Sequence, residues 1–296
     1  MALFTRRDFL KSTASVAAGM AFGLPTVAEE LLSSEIARTR VVLVRNPDAV
    51  LGPGRFDGQL IQQMLDDAVC AYFRVETPVE GWRKIIKPED VVGIKTNHHR
   101  YLPTPAAVEK AIVRRILETG VAEKNLSVDD QEVRANPVFQ SATALINVRP
   151  MRVHDWAVVG GMIKNYIVFV PNMPDYHPNS CSNLGAIWHL PVVKDKTRLN
   201  IQVMLTPHFH AVSTHYIDPK YIWNYCGILV SADPVALDSL ALRIIQLKRQ
   251  DHYGDDRSLN PTAPHVIAAD KKFGLGTSDL NRIEIIRLGW MEESFI

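Results

Sequence analysis

Cysteine is scarce in this 296-residue chain, and the scarcity removes whole classes of protein. Cys70, Cys181 and Cys226 lie far apart, so neither a disulfide framework nor a Cys-x-x-Cys metal or iron–sulfur motif is present. One disulfide in an oxidising compartment stays open, with the third thiol left over. An excess of either charge is lacking too. The formal net charge is +1 with no long block of like sign, which gives no electrostatic reason to expect nucleic acid or an anionic membrane surface as partner. No phosphate loop, Gly-x-Ser-x-Gly elbow or His-Glu-x-x-His helix occurs, which counts against nucleotide binding and against the familiar hydrolase and metalloprotease classes. Repeats and low-complexity segments are missing, and no apolar run is long enough to span a bilayer.

What is present begins at the N-terminus. Thr5-Arg6-Arg7-Asp8-Phe9-Leu10-Lys11 precedes a weakly apolar run over 12–24 and then Pro25-Thr26-Val27-Ala28. These are the three regions of a cleavable signal, and the paired arginines before Phe-Leu-Lys resemble the twin-arginine consensus. Small residues at Thr26 and Ala28 suit a peptidase, and no cysteine is there to carry a lipid. The expectation is a signal over 1–28, handled by the twin-arginine translocase. A single domain over 29–296 would then be released, soluble and without a stable membrane anchor, into the periplasm or another exported location. About 268 residues remain after cleavage, enough to bury a sizeable core. Twin-arginine passengers cross folded, and many acquire a metal or organic cofactor first.

Along that domain, apolar runs alternate with amphipathic segments. Residues 40–44 read as a buried strand and 60–73 as a helix, with Ile61, Met64, Leu65 and Ala68 at helical spacing. A second strand is expected at 91–95. Thr104 is expected to cap a helix that has Pro105 in its first turn and Gly120 as its stop, and a third strand follows at 126–129. Further strands are expected at 153–159, 166–170, 199–205, 226–231 and 283–288. Residues 171–178 read as proline-rich loop, and Asp233-Pro234 opens a long helix through 247. Strand, helix, strand order favours parallel pairing with right-handed crossovers. The predicted fold class is therefore α/β, with a mostly parallel central sheet and flanking helices, and ligands in such sheets bind beyond the strand ends.

The chemically loaded residues cluster at those ends. Lys95-Thr96-Asn97-His98-His99-Arg100 follows one predicted strand and Asp129-Asp130-Gln131-Glu132 another, so both loops are candidates to face one cleft. Lys95, Asp130 and Glu132 are then candidates for acid–base work or oxygen ligation, with solvated loop charge as the plainer alternative. His208 and His210 are separated by one residue and project to one face of an extended chain; His215 is close enough to join them across a turn. Three imidazoles in that spacing suit zinc, iron or copper, against the alternative of surface or hydrogen-bonded histidines. His177 and Cys181 offer a shared metal or an activated thiolate, although a buried inert cysteine is the common outcome. Gly160-Gly161 marks a tight turn that presents Lys164.

Asp90-Val91-Val92-Gly93-Ile94-Lys95-Thr96-Asn97, Thr104-Pro105, Gly120 and the strand reaching Asp129 resemble the N-terminal half of the family catalogued as domain of unknown function 362. Lys164-Asn165 and His177 match its middle, and Asp233-Pro234-Val235-Ala236-Leu237-Asp238 is similar to its C-terminal motif. The resemblance spans roughly 41–246. It carries no settled activity, and this chain lacks the ferredoxin-like cysteine clusters that some relatives append. It implies a set of positions: Lys95, Lys164 and His177 as catalytic candidates, and Asn97, Asn165, Asp233 and Asp238 as cofactor-binding candidates. Structural roles stand beside these, with Asp233 as a helix cap, Asn165 as a turn residue, and Asp238 as a partner of Arg243 or of a backbone donor. The leading expectation is an exported metal- or cofactor-dependent enzyme acting on a small anionic molecule, redox chemistry included. In it the two lysines hold the negative group and the histidines bind the metal. The alternatives are a non-catalytic periplasmic ligand-binding or cofactor-delivery protein, and a structural partner of a larger exported redox complex.

Overall fold

Alternation of apolar side chains decides how this chain is layered. Val41 and Leu43 enter one hydrophobic cluster while Val42 and Val44 enter another, so their strand is buried on both faces and must lie between two helical layers. A computed structural model describes residues 38–210, 217–255, 259 and 262–296. Thr39–Ile296 forms one compact unit.

In chain order, β1 (Thr39–Arg45) leads through the small hairpin of β2 (Val50–Gly52) and β3 (Arg55–Phe56) into α1 (Gly58–Phe73) and α2 (Pro78–Arg83). Then come β4 (Val92–Lys95), α3 (Ala106–Glu118), β5 (Leu126–Asp129), α4 (Pro137–Gln140), β6 (Ala144–His154), β7 (Val158–Gly160) and the one-turn helix α5 (Met162–Asn165). The last part comprises β8 (Thr197–His208), β9 (Gly227–Ser231), α6 (Pro234–Tyr253), α7 (Pro264–Lys271) and β10 (Ile283–Gly289).

The main sheet has the order β10-β1-β9-β8-β6-β4-β5, with β7 attached to the far end of β6. Strands β4, β5, β6 and β8 pair in parallel, as do β1 and β10; β9 runs antiparallel to both of its neighbours. The predicted mostly parallel sheet with flanking helices is the observed one. One layer is formed by α1 and α3, which bury Ile61, Met64, Leu65, Ile112 and Ile116 against Ile94, Ile146 and Val230. The opposite layer packs Leu237, Leu240 and Ile244 of α6 and Val266 of α7 against Leu145, Met204 and Leu229.

Three local expectations need correction. Thr104 does not cap α3, which has Pro105 at the N-cap position and no side-chain cap. Its hydroxyl accepts instead from Asn97 N, and its own N–H donates to Asn97 O at 2.7 Å, closing the loop after β4. Residues 166–170 contain a 3-10 turn, Tyr166–Phe169, rather than a strand. Tyr166 lies against Trp188 and Phe169 in the core, and a short apolar run has the same composition in either state. The strand expected at 153–159 is really the end of β6 followed by β7. Here Pro150 hides an eleven-residue strand; β4 pairs with β6 only as far as Asn147, so a missing N–H further along takes nothing from that ladder.

Candidate functional site

A row of polar side chains crosses the sheet, level with the carboxyl ends of β4 and β5. Register places Asp129 opposite Lys95, Lys95 opposite Asn147, Asn147 opposite Asn200, and Asn200 opposite Ser231. Lys95, Asn147, Asn200 and Ser231 are fully buried, so each must find partners or be expelled. They find one another. Asn147 Nδ2 donates to Asn200 Oδ1 at 2.9 Å, and Asn165 Nδ2 donates to Asn147 Oδ1 at 2.8 Å from α5, which lies above the row. Lys95 Nζ donates to Asp130 Oδ1 at 2.6 Å, to Thr96 O at 2.6 Å and to Asn165 Oδ1 at 3.3 Å. An ammonium has three donors, and these contacts use all of them. Burial lowers the Lys95 ammonium to about 8, against the opposing pull of Asp130. In Asp130 burial acts upward, but the Lys95 charge and the His98 N–H outweigh it and hold the carboxyl low.

Beyond this row lies a cavity of about 420 Å³, walled by the loops after β4 and β5, the end of β6, and the segment from α5 to His177. Asn97, Asp130, Glu132, Lys164, Asn165 and His177 line it, so the two polar loops do face one hollow. Four cationic side chains reach its wall, Arg134, Arg149, Arg152 and Lys164, against two carboxylates, Asp130 and Glu132. One of those carboxylates is already neutralised by Lys95. The cavity therefore carries excess positive charge behind low-dielectric walls, where a charge acts over a longer range than in water.

The arginines show the imbalance most directly. Arg149 is 3 % exposed, and its Nε has no hydrogen-bond partner among the described residues. Burial pushes its guanidinium down to about 10, with Asp130 and Asp238 opposing. Arg152 is also buried; one of its nitrogens donates to Asn97 Oδ1 at 3.2 Å, and burial together with the Arg149 charge lowers it strongly. Lys164 is 4 % exposed, and burial takes it down to about 8. Its Nζ lies 3.9 Å from Cys181 Sγ. His154 Nδ1 accepts from the N–H groups of Trp156 and Ala157, and burial followed by the Lys164 and Arg152 charges keeps the ring neutral. His177 packs against the Trp156 ring with centroids 4.3 Å apart, and burial with the Lys164 charge lowers it too.

The backbone around this wall is held in unfavourable geometry. Val158, the register partner of His154, has φ 66°, and Asn179, Ser180 and Cys181 have φ of 52°, 52° and 62° in succession. Left-handed backbone costs on the order of 1–3 kcal/mol at a non-glycine residue and persists where its surroundings over-determine it. Here the run turns Cys181 inward beneath Lys164.

Asp238 supports the site from behind. It is fully buried on α6, and its two carboxylate oxygens accept from Met162 N at 2.6 Å and Ile163 N at 3.0 Å, the first amides of α5. Burial raises its carboxyl to about 7 despite those two donors. Gly161 is needed because a Cβ there would fall 1.9 Å from Asp238 Oδ1. Thus the double glycine is a close-approach site that lets a carboxylate from another helix anchor α5.

The remaining sequence candidates separate. Asp233 caps α6, accepting from Val235 N and Ala236 N, at the end of the antiparallel strand β9 and hence at the edge of the sheet opposite the cavity. Its carboxylate also accepts from Thr277 N. Asp238 contacts backbone rather than Arg243. His208 is buried at the end of β8 with Arg152 as register partner, neither ring nitrogen has a partner among the described residues, and burial takes it down to about 4. His210 Nδ1 lies 3.0 Å from both Arg249 and Tyr253 Oη. His215 lies outside the described residues. Among the described residues no three His, Cys, Asp or Glu side chains are grouped to hold a metal, and all three cysteines are free. Sequence reasoning missed Arg149, Arg152 and His154. Their signal was an Asn147-Val148-Arg149 continuation of an apolar strand, masked by Pro150.

Residues 3–23 match the model for the twin-arginine translocation pathway signal sequence. The chain is thereby a passenger of that pathway, handled by its translocase and exported across a membrane. No match to the domain of unknown function 362 accompanies the signal. No curated protein and no solved structure matches this chain. Among the described residues no helix is long and apolar enough to cross a membrane.

Proposed function

We propose that this exported chain is an enzyme of the periplasm or an equivalent compartment whose cavity takes a small anionic molecule. Arg149, Arg152 and Lys164 grip the negative group, and His177 handles protons at the mouth. The observation that carries the reading is the Arg149 guanidinium, buried with an unpartnered Nε in a wall already rich in positive charge. A buried guanidinium short of hydrogen-bond partners is costly even with Asp130 and Asp238 nearby, and a bound carboxylate or phosphate supplies the missing acceptor. The positions suggested by the resemblance to domain of unknown function 362 lend support, since Asn97, Lys164, Asn165 and His177 adjoin the same hollow. Lys95 has a different part: with its donors occupied, it orients Asp130 and Asn165 instead of holding the ligand. The metal expected at His208, His210 and His215 has no step in this reading.

Trp156, packed on His177, provides a fluorescence reporter for titration with small carboxylates and phosphates. An Arg149→Met variant is expected to bind the best of them roughly tenfold to a hundredfold more weakly, the loss of a charge-assisted hydrogen bond. Wild-type affinity in that variant, with its melting temperature unchanged, would sink the proposal. Binding without turnover of any bound anion would instead favour a ligand-binding or delivery protein.

A further inference from the structure

Anion binding alone does not explain the surroundings of Lys164. Among the described residues its ammonium makes no ion pair, whereas Lys95, equally buried, is paired with Asp130. The polar contact of Lys164 is a thiol, presented by three successive left-handed residues. Two guanidiniums, Arg149 and Arg152, are near enough to disfavour its positive charge. A desolvated lysine beside other cations is the setting in which an amine becomes a nucleophile. The arginines need a negative group, and the lysine needs an electrophilic carbon close to it. The smallest molecule that offers both is a 2-oxo acid.

We propose that Lys164 forms an imine with the carbonyl carbon of a small 2-oxo acid whose carboxylate is held by Arg149 and Arg152. The inference rests on the anion-site reading and names its substrate class. In the step, Lys164 Nζ as free amine attacks the carbonyl carbon, a C–N bond forms, and the carbonyl oxygen becomes a hydroxyl. His177, at the mouth beside Trp156, takes the proton released by nitrogen and returns it to that hydroxyl. The oxygen then departs as water with both amine hydrogens, leaving C=N, and no oxidant or reductant is consumed. Lowered to about 8, Lys164 is free amine at neutral pH roughly a few hundredfold more often than an ordinary lysine. On taking up one proton from solvent, the imine nitrogen makes the former carbonyl carbon an electron sink suited to carbon–carbon bond cleavage or proton removal.

The test is reductive trapping on the exported protein. Glyoxylate or pyruvate is added with cyanoborohydride, and the product is read by intact mass and peptide mapping. One saturable adduct per chain is expected, mapped to Lys164, at least roughly tenfold above labelling at an exposed lysine such as Lys124. Acetate is expected to protect it, and Lys164→Arg to abolish it. Mapping on the unaltered chain keeps the test independent of that variant's folding. Labelling spread over exposed lysines without saturation would overturn the imine. So would fluorescence showing the 2-oxo acid bound without an adduct at Lys164, and in that case the anion site would stand. Failure of every anion to bind would overturn the anion site itself.

Discussion

At the scale of the residue, the site is governed by charges that burial leaves without full compensation. Lys164 is the unpaired cation of the cavity wall whose titration falls nearest neutral pH. Its pKa is lowered from 10.5 to about 8 because burial disfavours the ammonium. A bound anion favours the ammonium, so below about pH 8 the lysine is already charged and affinity should be flat. Above that value binding must take up a proton, and affinity should fall with pH, by at most about tenfold per unit. Fluorescence titrations across this range are expected to show the break, and Lys164→Met should bind more weakly at low pH and lose the slope. A slope that survives in this variant would assign it to another group and sink the role given to Lys164. The folding equilibrium changes in the opposite sense: between about 8 and 10.5 the unfolded chain holds more protons at this lysine, so the unliganded fold should gain stability as pH rises there.

At the scale of the element, the one-turn helix α5 is too short to be stable by itself and is held from both ends. Asn165 ties its last residue to Lys95 O and Asn147 on the sheet, and Asp238 of α6 holds its first two amides. Asp238→Ala would leave two buried N–H groups unsatisfied, a loss of about 2–5 kcal/mol that denaturant melts would detect. Gly161→Ala should act on the same joint, since its Cβ would overlap Asp238 Oδ1 and displace Lys164 from the wall. Weaker anion binding is expected from both variants, and normal affinity in a destabilised Asp238→Ala would show that α5 does not need its anchor. Much at this scale was legible in advance. Periodicity placed β1, α1, β4, β5 and β9 within two residues of their ends and α6 at its start, although that helix continues past the expected 247 to Tyr253, and the same strand ends carried Lys95, Asn97 and the Asp130 loop. Two kinds of feature were not legible. Pro150 disguised β6 and with it Arg149, Arg152 and His154. The use of Asp238 as an anchor depends on contact between residues 76 positions apart, which no local pattern records.

At the scale of the whole molecule, the order of strands links folding to export. β1 lies between β9 and β10, so the first strand of the sheet receives both of its partners from the last third of the chain. Such non-local pairing cannot be completed while the C-terminal strands are still unmade, and loop closure must precede any gain from it. A route that carries folded proteins suits this topology, because the sheet has time to close before the twin-arginine signal at 3–23 is engaged. The site should consequently exist on the cytoplasmic side. Replacing Arg6 and Arg7 by lysine is expected to trap the precursor in the cytoplasm, uncleaved but folded, with the same anion affinity as the exported form. Fractionation and Trp156 titration would check the two halves of that expectation. Export at the normal rate would show that the arginines do not direct it. A trapped precursor that melts like the exported protein yet binds no anion would mean that the cavity is completed only after transport, and closure of the sheet would then be insufficient to build it.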